Sequence, residues 1–307
     1  MKPKRVAVLV NASAGAAESH GAAALRATLA IAFAQHGIEA SLAFLHGESL
    51  RDAAAQARQQ VLDGELDAIV VGGGDGSINT VASVLADSGI SLGILPLGTL
   101  NHFAKDIELP LALEEAVAMI AAGMTRRVDL GEVNGEIFIN NSSIGIYPLL
   151  VIERERKRRQ GRLSKWTAMI LAVPRVLRYL PIFRLWIRVA DAAELVRSPC
   201  VFVGNNEYRL AIPRSGRRER LDCGELCLYA AQAQSRIALF RLAVRVILGF
   251  LEQERDLHIF KGATAEIGAR RHWLLVATDG EVKSMRSPLN YRSRPGALRV
   301  FAPAANG

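Results

Sequence analysis

Residues 67–79 read Asp-Ala-Ile-Val-Val-Gly-Gly-Gly-Asp-Gly-Ser-Ile-Asn, and the rest of the chain is best read outward from them. The run DAIVV (67–71) passes straight into Gly72-Gly73-Gly74, and a helical pattern begins near Ser77 and continues over 78–87. A short, continuous apolar run rich in β-branched residues suits a strand covered on both faces of a parallel sheet. Three glycines at its carboxyl end leave backbone amides open to close approach, because no Cβ stands in the way. A helix starting there adds its N-terminal amides and dipole, both of which favour an anion. Ligands of parallel sheets bind outside the carboxyl ends of the strands. Asp75 stands inside this turn, placed either to reach Mg²⁺ or to hold the loop. No GxxxxGK[ST] is present, and Ser77 breaks GxGxxG, so neither common nucleotide fingerprint applies. Taken alone, the glycines fit a plain tight turn as well as a nucleotide site.

The flanking sequence repeats the strand-and-helix alternation. RVAVLV (5–10) ends at Asn11 as a first strand, 19–35 reads as a helix, and 38–45 reads as a second strand. Ser49 is placed to cap a helix over 50–62. LGIL (92–95) is a further strand, followed by Pro96-Leu97-Gly98-Thr99-Leu100-Asn101 and a helix over 111–122. This order predicts an α/β domain with a parallel sheet and helices on both faces. After Arg126 the pattern changes. VDLGEV, Asn134-Gly135 and EIFIN form a hairpin around a favoured two-residue turn. Strand-like runs then fill 184–230 and 257–301, with helical inserts over 149–180 and 235–252. We therefore expect a nucleotide-binding domain over 1–125 and a mainly antiparallel β-sandwich over 126–296, with the tail 297–307 returning to the first.

Composition narrows the function. The 307 residues carry a net charge of +8, which favours anionic partners such as a membrane surface or phosphates. No zinc-finger spacing or aromatic RNA-binding signature accompanies that charge, so nucleic acid is not expected. Three cysteines, Cys200, Cys223 and Cys227, suit a reducing cytoplasm rather than a disulfide scaffold. The six histidines have no ligand-like spacing. MKPKRVAVLV reads as a first strand rather than a signal peptide, and no stretch approaches the roughly 20 apolar residues of a spanning helix. Arg154, Arg158, Arg162 and Lys165 fall on one helical face, followed by the apolar series Trp166 to Leu177, and 236–251 is a second basic apolar helix. Such helices can lie in the headgroup region of an anionic membrane. An ordinary solvated basic face over a packed apolar one is the plainer reading.

Several separate motifs carry a resemblance. Asn11-Ala12-Ser13-Ala14-Gly15 is similar to N-P-x-S-G with Ala for Pro. GGGDGSIN (72–79) is similar to GGGDGT-x-N with Ser77 for Thr. LGILPLGTLNHFA (92–104) is similar to L-G-x-x-P-x-G-T-x-N-D-F-A with His102 for Asp, and TDGE (278–281) is similar to a late D-G-E. Together they resemble the diacylglycerol kinase catalytic-domain family, which includes sphingosine kinases and bacterial lipid kinases. The resemblance runs from about residue 5 to 303. It implies an NAD kinase- and phosphofructokinase-like α/β domain followed by a β-sandwich, with ATP and acceptor meeting in a cleft. It implies ATP contacts at Asn11, Gly72, Gly73, Gly74, Asp75, Gly76, Ser77, Asn79, Gly98, Thr99 and Asn101. For Thr99 and Asn101, capping of the next short helix is the competing role. Glu281 matches the family's general base, while Asp279 matches a residue that binds Mg²⁺ or orients the loop.

One departure stands out. Bacterial members hold an accessory Mg²⁺ on a D-D-G-like turn, where this chain reads Leu221-Asp222-Cys223-Gly224-Glu225. A thiol is a poor ligand for that hard cation, so either Asp222 or Glu225 substitutes or the site is absent. The expectation is an ATP- and Mg²⁺-dependent lipid kinase, cytoplasmic and peripheral on an anionic membrane. The alternatives are a kinase of a soluble acceptor, NAD kinase-like, and a non-catalytic membrane-binding relative. Oligomeric state is open, a homo-oligomer included.

Overall fold

A computed structural model describes residues 2–15, 21–47, 49–161, 182–190, 192–209, 217–232, 237–238 and 256–303. The chain separates into two compact units, Met1–Leu130 with Pro295–Gly307 and Gly131–Arg294.

The first unit alternates β1 (Arg5–Asn11), α1 (Ala22–Gln35), β2 (Glu39–Leu45), α2 (Ser49–Leu62), β3 (Ala68–Gly73), α3 (Asp75–Leu85) and β4 (Ser91–Pro96). Two further helices follow, α4 (His102–Asp106) and α5 (Leu113–Ala122). The strands pair in parallel in the order β2-β1-β3-β4. Every residue of β3 is buried, as its unbroken apolar run requires. One face of the sheet packs Val6, Val8, Val10 and Val70 against Leu29 and Phe33 of α1 and Val117 and Ile120 of α5. Helices α2 and α3 pack together, and α3 lies against β3. Full burial of each such side chain is worth about 1.5–3 kcal/mol. Helix α3 starts at Asp75, two residues before the expected Ser77. Asp and Gly are poor inside a helix but acceptable in its first turn, where a carboxylate complements the dipole.

Among its described residues the second unit is mainly strands. It begins in β5 (Thr125–Val133), then β6 (Glu136–Phe138), β7 (Asn141–Gly145) and α6 (Ile146–Gly161). Strands β8 (Phe183–Val189), β9 (Ala192–Ser198), β10 (Cys200–Asn205), β11 (Tyr208–Arg209) and β12 (Arg217–Arg218) come next. The last are β13 (Leu226–Ala231), β14 (Leu257–Gly262), β15 (Thr264–Ala269), β16 (Trp273–Thr278), β17 (Glu281–Arg286) and β18 (Leu289–Phe301). One antiparallel sheet runs β14-β13-β10-β7-β16-β17, and another joins β9, β8, β15 and the first half of β18. Both line one core: Ile144, Val203 and Val276 from the first meet Ile187, Ile267 and Leu289 from the second. The expected hairpin is present, with Val133 opposite Glu136 and positive φ at Asn134 (48°) and Gly135 (88°).

The expected basic helical face is partly described. Arg154 lies 3.0 Å from Glu155 and Arg156 lies 3.1 Å from Glu153, so α6 carries internal ion pairs. Arg162, Lys165 and the apolar series after them lie outside the described residues, as does nearly all of 236–251. No helix of the described residues is long and apolar enough to cross a membrane.

Candidate active site

Parallel pairing brings three turns to one edge of the first unit. Strands β1, β3 and β4 are neighbours, so the turns after Asn11, Gly73 and Pro96 emerge side by side. Hydrogen bonds join them. Asn11 Nδ2 donates to Ser77 Oγ (2.8 Å), and Asn11 Oδ1 accepts from Ser13 N (2.9 Å). Leu97 N donates to Gly73 O (3.2 Å). A Cβ on Gly73 would stand 2.6 Å from Ser77 Oγ, and one on Gly98 would stand 2.4 Å from the Gly74 Cα. Glycine at 73, 74 and 98 is therefore what lets the two turns touch, leaving a floor of backbone rather than side chains. The first-turn amides of α3 open onto that floor without intrahelical acceptors. Thr99 is exposed beside it, its Oγ1 3.8 Å from where a Gly15 Cβ would be. Gly72 is buried at the strand end, while Gly76 and Asn79 sit half-buried in the first turns of α3.

Two residues take up structural places here. Asn101 is buried with φ 51°; its Oδ1 accepts from Gly98 N (3.0 Å) and its Nδ2 donates to the carbonyls of Gly98 (2.8 Å) and Pro96 (3.2 Å). It folds its own turn and makes no side-chain cap to α4, although it stands at the cap position. The cap comes instead from Asp75, whose Oδ1 accepts from Phe103 N (2.9 Å) and Oδ2 from His102 N (3.2 Å). One carboxylate thus clamps the glycine turn to the turn after β4.

The second unit carries the acidic turn. Asp279 (φ 48°) and Gly280 (φ 88°) form the two-residue connection of β16 and β17, with Thr278 opposite Glu281. Asp279 does more than turn the chain. Its Oδ2 accepts from Ile139 N (2.8 Å), and its Oδ1 accepts from Asn140 N (2.9 Å) and Asn141 N (3.1 Å). Burial pushes its carboxyl up to about 6, opposed by these three amides and by the charge of Arg218. Glu281 is exposed at the head of β17. Across the same core, Ser142 Oγ and Tyr291 OH lie 3.0 Å apart.

The expected metal ligands are not gathered. Asp222 is exposed and lies 3.1 Å from Arg220 Nε, Glu225 is exposed, and Cys223 lies between them. Among the described residues no group of three or more His, Cys, Asp or Glu side chains is placed to hold a metal ion. The sequence reading passed over Arg218, Asn140 and Tyr208, which build the floor under Asp279. Arg218 sits in a basic run, RSGRRER, that reads as a solvated surface.

The chain is similar to several known proteins. Residues 5–133 match the model of the diacylglycerol kinase catalytic domain. A diacylglycerol kinase of Mycobacterium tuberculosis is 29% identical over 97% of this chain and 95% of its own length. A crystal structure of a diacylglycerol kinase from Bacillus anthracis superposes with a TM-score of 0.69 at 20% identity, covering 99% of each chain. Yeast NADH kinase complexed with NADH has a related fold, with a TM-score of 0.53 at 10% identity over 100% of this chain and 85% of its own. With its glycine turn, its Gly98–Asn101 turn and the strands beneath them inside the matched stretch, the segment from residue 5 to residue 133 belongs to the diacylglycerol kinase catalytic-domain family.

Proposed function

We propose that the protein transfers the γ-phosphoryl group of ATP to the hydroxyl of a lipid, diacylglycerol or a relative of it, at a membrane surface. The family is one of nucleotide-using phosphotransferases. The observation that carries the reading is the backbone-lined floor of Gly73, Gly74 and Gly98 at the start of α3. A triphosphate fits there, because glycine keeps side chains away and the first turn of α3 presents its amides. Bound ATP with Mg²⁺ supplies the phosphoryl group and the charge neutralisation that transfer requires. Mg²⁺ is commonly held by one or two carboxylates, substrate phosphates and waters. Among the described residues no group of three or more acidic, His or Cys side chains is placed to cage the ion.

The chain's own residues then have distinct tasks. Asn11 and Ser77 fix the glycine turn, and the Ser77 hydroxyl keeps a proton to donate. Asp75 and Asn101 hold the turn after β4 against it. Thr99 offers an exposed hydroxyl beside the floor. Glu281 accepts the proton of the acceptor hydroxyl, its side chain exposed at the head of β17. Asp279 holds the turn that carries it.

Incubation with labelled ATP, Mg²⁺ and a total lipid extract tests the reading, with identification of the labelled product. Label in a lipid supports it. Label only in a water-soluble product would move the acceptor to the soluble class, to which the NADH kinase fold is related.

A further inference from the structure

Arg218 is the one lysine or arginine buried among the described residues, at 4% exposure. It stands on β12 opposite Tyr208 of β11, with its guanidinium carbon 5.5 Å from that ring's centroid. Nη1 donates to the carbonyls of Ile139 (2.8 Å) and Asn205 (3.1 Å), and Nη2 donates to Asn140 Oδ1 (2.8 Å). Burying a cation costs several kcal/mol before such bonds offset it, and a neutral side chain often fills the same volume at less cost. The charge itself therefore needs a use.

The loop Ile139–Asn141 supplies one. The peptide joining Ile139 to Asn140 is gripped at both ends: its carbonyl accepts from Arg218, and its N–H donates to Asp279 (2.9 Å). The next peptide is gripped likewise, its carbonyl accepting from Tyr208 OH (3.0 Å) and Asn205 N (3.0 Å) and its N–H donating to Asp279 (3.1 Å). A cation on the oxygen side and an anion on the nitrogen side polarise the same peptide, so each strengthens the other's bond. Asp279 N also donates to Asn141 O (2.9 Å), which ties the turn to the loop a further time. Meanwhile the nearby stretch of Asp222, Cys223 and Glu225 forms no metal-ligating group.

We infer that Arg218 is a positioning residue: a built-in cation, bound by the carbonyl and amide oxygens a metal ion would seek, that orders loop 139–141 and so seats the Asp279–Glu281 turn. The catalytic half of this inference rests on Glu281 being the base; the ordering half does not.

The two halves are read separately. Backbone amide exchange at 139–141 and 279–281 is measured for the wild type and Arg218→Ala, each alone, with low millimolar guanidinium chloride, and with MgCl₂. Exchange in Arg218→Ala rises roughly tenfold or more at Asn140 and Asn141 as the loop opens locally. Guanidinium restores the slow rate and MgCl₂ does not. In phosphotransfer, kcat falls while KM for ATP holds, and guanidinium recovers kcat. Wild-type exchange in the variant, or restoration by MgCl₂ alone, overturns the inference. So does a rise in KM for ATP as large as the fall in kcat. Should Arg218→Ala not fold, Arg218→Lys and Arg218→Met replace it: Lys near wild type and Met loose supports a role for the charge, and equal behaviour refutes it. A wild type that labels no lipid defeats the lipid-kinase reading and leaves the exchange result to decide Arg218.

Discussion

Adding one methyl group at Gly98 tests the phosphate floor most directly. In Gly98→Ala the new Cβ meets the Gly74 Cα at 2.4 Å, Asn101 Oδ1 at 2.7 Å and Gly74 N at 3.1 Å. The nearest approach is about 1 Å short of ordinary carbon–carbon contact, and the atom it meets is backbone, which cannot rotate aside. The two turns must part. Asn101 must also give up or lengthen its bond to Gly98 N. Overpacking of this kind costs about 1–3 kcal/mol, which lowers Tm by roughly 2–12 °C, taking about 2–4 °C per kcal/mol for a domain of this size. Parting the turns also misplaces the amides that receive phosphate, so ATP affinity falls by roughly tenfold or more. Gly15→Ala is the control, since its Cβ would meet only Thr99 Oγ1 at 3.8 Å. Calorimetric titration with ATP and a thermal melt on both variants decide the matter. Wild-type affinity and Tm in Gly98→Ala would refute the packing argument.

Glu281→Gln is expected to lower kcat by roughly 10²-fold or more while leaving Tm unchanged, because the side chain is exposed; a steady-state assay beside a melt checks both. Asp75→Asn keeps one acceptor for two amides and should lose about 1 kcal/mol in chemical denaturation, together with phosphotransfer activity. The Asp279 carboxyl should titrate near pH 6 by carbon NMR. Since that lies above the unfolded value of 3.8, the folded state holds the extra proton between about pH 4 and 6, and this group's contribution to stability falls as pH rises through that window. Asp67 has the opposite sign: amides of Arg5 and Lys4 hold its carboxyl below the usual range, so its contribution is present above 3.8 and is lost as pH falls below. Denaturation of Asp67→Asn against wild type from pH 2 to 6 should show the difference closing at the acid end.

What was legible in the sequence was local. The DAIVV strand, the glycine turn, the Asn134-Gly135 hairpin and the alternation of strand and helix each depend on residues within a few positions of one another, and both the order of layers and the family followed from them. What was not legible spans the chain. Asp75 was legible as a residue that reaches Mg²⁺ or holds the loop, but not the amides its oxygens reach, 27 and 28 positions later. Asn101 was expected at ATP, with helix capping as the competing role; the αL backbone at that position turns its side chain back onto Gly98. Asp279 was legible as half of a tight turn, while its three amides lie about 140 positions earlier. No local pattern marks Arg218, whose guanidinium bonds to Ile139 and Asn140, 79 and 78 positions earlier.

Strand β18 has a consequence for how the protein is made. Arg299 and Val300 pair with Ser91 and Leu92, and Phe301 joins the apolar layer beneath α1 and α5. About 200 residues separate these partners in the chain. At translation rates of roughly 5–20 residues per second, the nascent first unit waits on the order of 10–40 s with the β4 edge bare. Such an edge is a template for stray pairing with other chains. Ribosome-stalled fragments that stop before Pro295 should therefore recruit chaperones and aggregate on release, whereas fragments that include the last strand should not.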